Sequence, residues 1–221
     1  MTAVPRAAWL AALLLGRALA ACSADASSQN AEICAEDDPF ASEVVSVEFG
    51  SGQDFGQSKL TERVLGPPRG GGCCAGSLDV TSLGEGGSVV LAFHGDIVDG
   101  PGPDFVVFEN PFLPSGASPD AVFAELATVS VSLDGESWSE FPCTETEYPY
   151  GSCAGWHPVL ANADKGPIST LDPELAGGDP FDLADVRLTR ARYVRIHDRE
   201  DLDGTFDLDA VAILNAAPCD E

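Results

Sequence analysis

Ala127-Thr128-Val129-Ser130-Val131-Ser132-Leu133 alternates apolar and small polar residues, and Asp134-Gly135-Glu136-Ser137-Trp138-Ser139-Glu140-Phe141 follows directly. Period two is the signature of a strand with one buried face, so Ala127, Val129, Val131 and Leu133 are expected inward, opposite Thr128, Ser130 and Ser132. Asp-Gly after such a run is a hairpin signal, because glycine reaches positive φ without a steric penalty. Working outward, Val89, Leu91 and Phe93 repeat the alternation, and Val45, Val47 and Phe49 do so against Ser46 and Glu48. Val194 and Ile196 are read as inward, with Tyr193, Arg195 and His197 outward. Phe105 to Phe108 is apolar on both faces and reads as a central strand, and a last strand is placed at about residues 209–214. No amphipathic pattern of helix length follows residue 22. The fold class is all-β, an antiparallel β-sandwich of jelly-roll type.

The 221 residues suit one large domain, and 44% apolar content with only 21% charged residues excludes a disordered chain. Gly 23 and Pro 16 fit a turn-rich β protein. Acidic residues outnumber basic ones 36 to 11, for a net charge of −25. Nucleic acid is excluded as a partner, since phosphate binding needs clustered Lys and Arg. Cations, neutral sugars and basic surface proteins fit better.

Residues 1–21 read as a signal peptide: Arg6 supplies a positive charge and Ala7 to Gly16 form an apolar run of ten, too short to span a bilayer. Leu19-Ala20-Ala21-Cys22 resembles the bacterial lipobox, which implies acylation of Cys22 and contact with a membrane through that anchor alone. Without Arg6 and Arg17, 9 basic residues stand against 36 acidic ones, a charge of −27. Residues 22–40, acidic and poor in aromatics, are expected to be a flexible tether, leaving 41–221 as the β-sandwich domain. The other six cysteines form an even set with 15 connectivities, which in an exported chain points to disulfides. Cys34 and Cys219 lie near the domain ends, where termini often meet. Cys143 and Cys153 flank a Tyr/Pro/Gly-rich loop. Cys73 and Cys74 are then left to each other, at a Cα separation of about 3.8 Å that is below the usual disulfide range. Zinc-ligand spacing is absent.

Two of these strands carry a resemblance. Val129-Ser130-Val131-Ser132-Leu133-Asp134-Gly135 with Trp138, and Ala191-Arg192-Tyr193-Val194-Arg195-Ile196, are similar to hallmark strands of discoidin-type, galactose-binding-like domains. Across about residues 78–215 the chain also resembles a family of bacterial cell-surface proteins. This likeness rests on Gly86-Gly87-Ser88-Val89-Val90-Leu91, Asp99 to Asn110, Phe181-Asp182-Leu183-Ala184-Asp185 and Phe206-Asp207-Leu208-Asp209-Ala210-Val211. It implies a β-sandwich exposed on the cell envelope, outer membrane or cell surface, with no activity attached.

Catalytic motifs are missing: there is no Gly-x-Ser-x-Gly, His-Glu-x-x-His or phosphate-binding glycine loop. Cys153 near His157 is read as a bridged cysteine rather than a nucleophile. The acidic loops give a stronger signal. Asp198, Asp201 and Asp203 precede the turn-forming Gly204, and Asp207 and Asp209 share a face if the last strand is regular. Asp96, Asp99 and Asp104, with Glu109, form a second acidic cluster. Oxygen-rich loops suit calcium, although the Glu of an EF-hand's twelfth position is absent. Solvation or pairing with Arg192 and Arg195 is the rival reading. Tyr148, Tyr150 and Trp156 suit sugar stacking, while Trp138 is assigned to the core. The sequence thus leads to a lipid-anchored, calcium-supported binding module for carbohydrate or another extracellular ligand, not an enzyme. A secreted hydrolase using acidic-loop residues and a structural envelope protein are the readings from other classes.

Overall fold

Ten strands and only short helical turns build the computed structural model, which describes Met1, Cys34, Ala35 and residues 37–219. Cys22 and the signal peptide beyond Met1 lie outside the described residues, as do residues 22–33 and Glu36 of the expected tether. The strands all belong to the unit Ile33–Glu221. They are β1 (Glu43–Glu48), β2 (Thr81–Ser82), β3 (Ser88–Val98), β4 (Phe105–Phe108), β5 (Ala127–Ser132), β6 (Ser139–Glu140), β7 (Asp179–Phe181), β8 (Arg190–Asp198), β9 (Asp207–Leu208) and β10 (Ala210–Ile213). One sheet runs β1-β3-β8-β5-β6 and the other β10-β4-β7, with β2 and β9 as a separate pair. Every pairing is antiparallel. The five- and three-stranded sheets supply the eight strands of a jelly-roll sandwich.

Register explains the core. Val89 and Val129 both face Ile196, and Leu91 and Val131 both face Val194, so six fully buried side chains form one apolar block. Phe105, Val107, Phe181, Val211 and Ile213 meet it from the smaller sheet. Phe105 stacks on Phe181 at 5.1 Å, and Phe141 packs edge-on to both at 5.8 and 4.9 Å. Burying each such side chain contributes roughly 2–3 kcal/mol. The alternate residues of β4, Val106 and Phe108, point the other way and pack with Val159, Ala176, Ala210 and Ala212. The connection between β6 and β7 therefore covers the outer face of the small sheet. That third layer is why β4 is apolar at every position.

Four local readings change. A bulge between Val44 and Ser46 shifts the phase of β1, so Val44 and Val47 pack on the core while Val45 and Phe49 are exposed. Leu133 is half exposed because β5 ends at Ser132 and the hairpin turn carries Leu133 out, with Gly135 at φ +76°. The last strand breaks at Asp209, where the chain passes from β2 to β4 as its partner. Asp207 and Asp209 therefore do not share a face. Trp138 is not in the core either: it sits on the outer side of the large sheet, with the Arg195 guanidinium 4.5 Å from its ring centroid.

All three expected disulfides form, joining Cys34 to Cys219, Cys73 to Cys74 and Cys143 to Cys153. Within residues 34–40, Ala35 is buried in the core and Phe40 bridges Ala212, so these described residues are packed.

Candidate functional site

The loop clipped by Cys143–Cys153 and the residues just after it present the aromatic residues. Tyr148 and Tyr150 lie 6.3 Å apart, and Trp156 stands 5.7 and 6.0 Å from them, all edge to face. Tyr148 is the most exposed of the three at 41%. The indole N–H of Trp156 donates to the Cys153 carbonyl at 3.0 Å, which fixes the ring on the loop's own backbone. Gly155 is required at φ +99°, since a Cβ there would lie 2.0 Å from the Glu125 carbonyl oxygen. Arg199 closes the loop from outside by donating to the Glu145 carbonyl at 2.6 Å.

His157 stacks on Trp156 with centroids 3.6 Å apart, and its Nδ1 is 2.8 Å from Asp179 Oδ1. Asp179 begins β7 and also accepts the backbone N–H groups of Gly155 and Trp156, at 2.7 and 3.3 Å. Burial pushes its carboxyl up, and the hydrogen bond from His157 opposes that shift. His157 borders a cleft of about 510 Å³ with Cys73, Leu160, Glu174, Gly178 and Pro180. Such an imidazole, oriented through Nδ1, leaves Nε2 to face a ligand. Cys153 is bonded to Cys143, so no thiol stands beside His157. A larger cleft of about 770 Å³, bordered by Pro39, Phe40, Pro67, Ile168 and Leu171, holds none of the expected site residues.

The eight expected metal ligands scatter. Asp96 is held by Arg192 through bonds of 2.7 and 3.3 Å and faces Arg190 at 3.6 Å. Asp201 is gripped by Arg199 at 3.0 and 2.7 Å, and Asp203 is exposed. Asp209 accepts the Arg69 backbone N–H at 3.1 and 3.0 Å, and burial pushes its carboxyl up to about 8. Asp99 and Asp104 group with Asp182, their donor oxygens within 4.8 Å of one another. Asp104, however, already takes three donors: Gly100 N at 2.9 Å, Asn215 Nδ2 at 2.8 Å and Leu183 N at 2.8 Å.

Only Asp198 and Asp207 remain together, and they meet two acids outside the expected set. Glu109 lies apart from its expected neighbours, and its Oε1 accepts the Asp207 backbone N–H at 3.0 Å. Glu125, for which the sequence held no signal, accepts from Thr205 N at 2.8 Å. Burial, then repulsion from Asp207 and Glu125, drives the Glu109 carboxyl well above the ordinary range. Burial likewise raises Glu125 and Asp207, and lifts Asp198 to about 7.

No protein-family model matches the chain, and no curated protein matches it. Among solved structures, it is similar to CBM32-3 from a family 31 glycoside hydrolase of Clostridium perfringens, with 11% identity and a TM-score of 0.31. The match covers 77% of this chain and 90% of that one.

Proposed function

We propose that the protein is a non-catalytic carbohydrate-binding module of galactose-binding-like architecture. The reading is carried by one observation: three aromatic rings and an Asp179-oriented imidazole stand together on and just after a disulfide-clipped loop. An aromatic face takes the C–H side of a pyranose while neighbouring polar groups meet its hydroxyls. Tyr148 offers the exposed ring, and His157 Nε2 the polar contact. A panel of oligosaccharides, followed by calorimetry on those retained, tests this. Tyr148→Ala should weaken binding about tenfold, the equivalent of about 1.4 kcal/mol. Retention of no glycan, or equal binding by the variant, would overturn the assignment.

The module is held to a membrane of the cell envelope through acylated Cys22, a reading supported by Leu19-Ala20-Ala21-Cys22 alone. Incorporation of labelled fatty acid that Cys22→Ala abolishes is its check; an unlabelled wild-type chain would refute it.

A further inference from the structure

The disulfides close very different lengths of chain. Cys34–Cys219 joins positions 185 apart and Cys143–Cys153 positions 10 apart, whereas Cys73–Cys74 joins neighbours and closes no loop. Loop-closure entropy, through which a cross-link stabilises a fold, is therefore absent at Cys73–Cys74. The segment around it is held by other bonds. Gly70 N donates to the Ala161 carbonyl at 3.0 Å, Gly72 N to that of Val159 at 3.0 Å, and Leu113 N to that of Cys73 at 2.8 Å. The Asn162 amide donates to the Gly70 carbonyl at 2.8 Å, and the Ser77 N–H to Asn110 Oδ1. Exposure differs too. Cys153 is 1% exposed, and Arg199 Nη1 stands 3.7 and 3.9 Å from the Cys143 and Cys153 sulfurs. Cys73 and Cys74 are both exposed, and Cys73 borders the cleft that His157 also borders.

We propose that Cys73–Cys74 is a thiol-exchange site that sets the state of the His157 cleft. A bridge that stabilises the fold is stabilised by it in return, so the whole domain resists its reduction. That resistance protects Cys34–Cys219 and Cys143–Cys153 and is missing at Cys73–Cys74. The reagent is a dithiol. Its thiolate attacks one exposed sulfur, breaks the Cys73–Cys74 bond and forms a mixed disulfide. Its second thiol then displaces the protein sulfur, leaving two protein thiols and a disulfide within the reagent. Two electrons and two protons pass to the protein, and a disulfide oxidant reverses the step. Cys73 changes at the cleft border from a bridged sulfur to a mobile side chain with a weak S–H donor. Control of glycan binding by this bridge rests on the reading proposed above, whereas the exchange itself does not.

The test is stepwise reduction of the folded full chain with dithiothreitol, followed by alkylation and peptide mass mapping. Cys73 and Cys74 should be alkylated together, at least about tenfold sooner than the four cysteines of the other bridges, with the melting temperature unchanged. The His157 imidazole proton resonances should shift on reduction and return on reoxidation. The double variant Cys73→Ser, Cys74→Ser should melt as the parent does, and its His157 resonances should not respond to dithiothreitol. Earlier opening of either other bridge, a melting temperature that falls with Cys73–Cys74, or unmoved His157 resonances overturns the site. The oligosaccharide panel is then repeated on both forms. Glycans retained by the oxidised chain should bind the reduced chain about tenfold more weakly, because a fixed wall of the cleft has become mobile. Equal binding overturns the control. The first arm contains no sugar, so its failure is distinct from failure of the glycan reading.

Discussion

Asp104 and Glu109 bracket the same strand, β4, and are 0% and 1% exposed. Their surroundings are opposite. Asp104 receives two backbone N–H groups and the Asn215 amide, which together occupy both of its oxygens. Glu109 receives one backbone N–H, faces two other acids, and keeps one oxygen bare. Burial alone therefore does not say what an acid is for. The supply of donors does: a carboxylate ringed by N–H groups is part of the scaffold, and one left short is held there at a cost.

Removing the satisfied acid should have the largest effect. Asp104→Ala strands two backbone donors and the Asn215 amide, and is expected to destabilise the fold by about 3–5 kcal/mol. Chemical denaturation reads this directly, and a loss below about 1 kcal/mol would break the contrast. Glu109→Gln should move stability the other way, raising it by about 1 kcal/mol, because a repelled acid is replaced by a neutral amide. Lower stability of this variant would show that Glu109 is already well served by the fold.

The smallest effect sharpens the contrast from the solvent side. Asp134 is exposed but takes Glu136 N, Ser137 N and the Ser132 hydroxyl as donors, and these lower its carboxyl to about 2. A depressed folded value means that its support of the hairpin is complete above the unfolded value of about 4 and is lost as pH falls through 2. The Glu136 and Ser137 amide resonances should follow that midpoint, and should show no such step in Asp134→Asn. A midpoint near 4 would mean that the three bonds do not hold in solution.

The same distinction explains what could be read from the chain alone. Strands were legible wherever burial follows period two, as in Val129, Val131, Val194 and Ile196. They were misread where geometry interrupts the period: at the bulge beside Val45, at the turn after Ser132, and at the change of partner at Asp209. Tyr148, Tyr150 and Trp156 were legible as a group because one short stretch of chain carries them. The acids were visible as residues but not as neighbours, because donors arrive from far along the chain. Arg69 and Asp209 are 140 residues apart, and Asp207 and Glu109 are 98. No spacing rule reaches that far.

The bond between Cys34 and Cys219 joins positions 185 apart in sequence. Mechanically, that bond is a shunt. Tension between whatever precedes Cys34 and whatever follows Cys219 passes through two sulfur atoms, and the strands between them carry none of it. Load reaches the sheets only when it is borne inside that ring, as at Tyr148 on the aromatic loop. There the Cys143–Cys153 bond acts in the same way, preventing residues 144–152 from being drawn out as slack. A domain wired like this can be pulled hard from its ends without its hydrogen-bonded ladders being sheared.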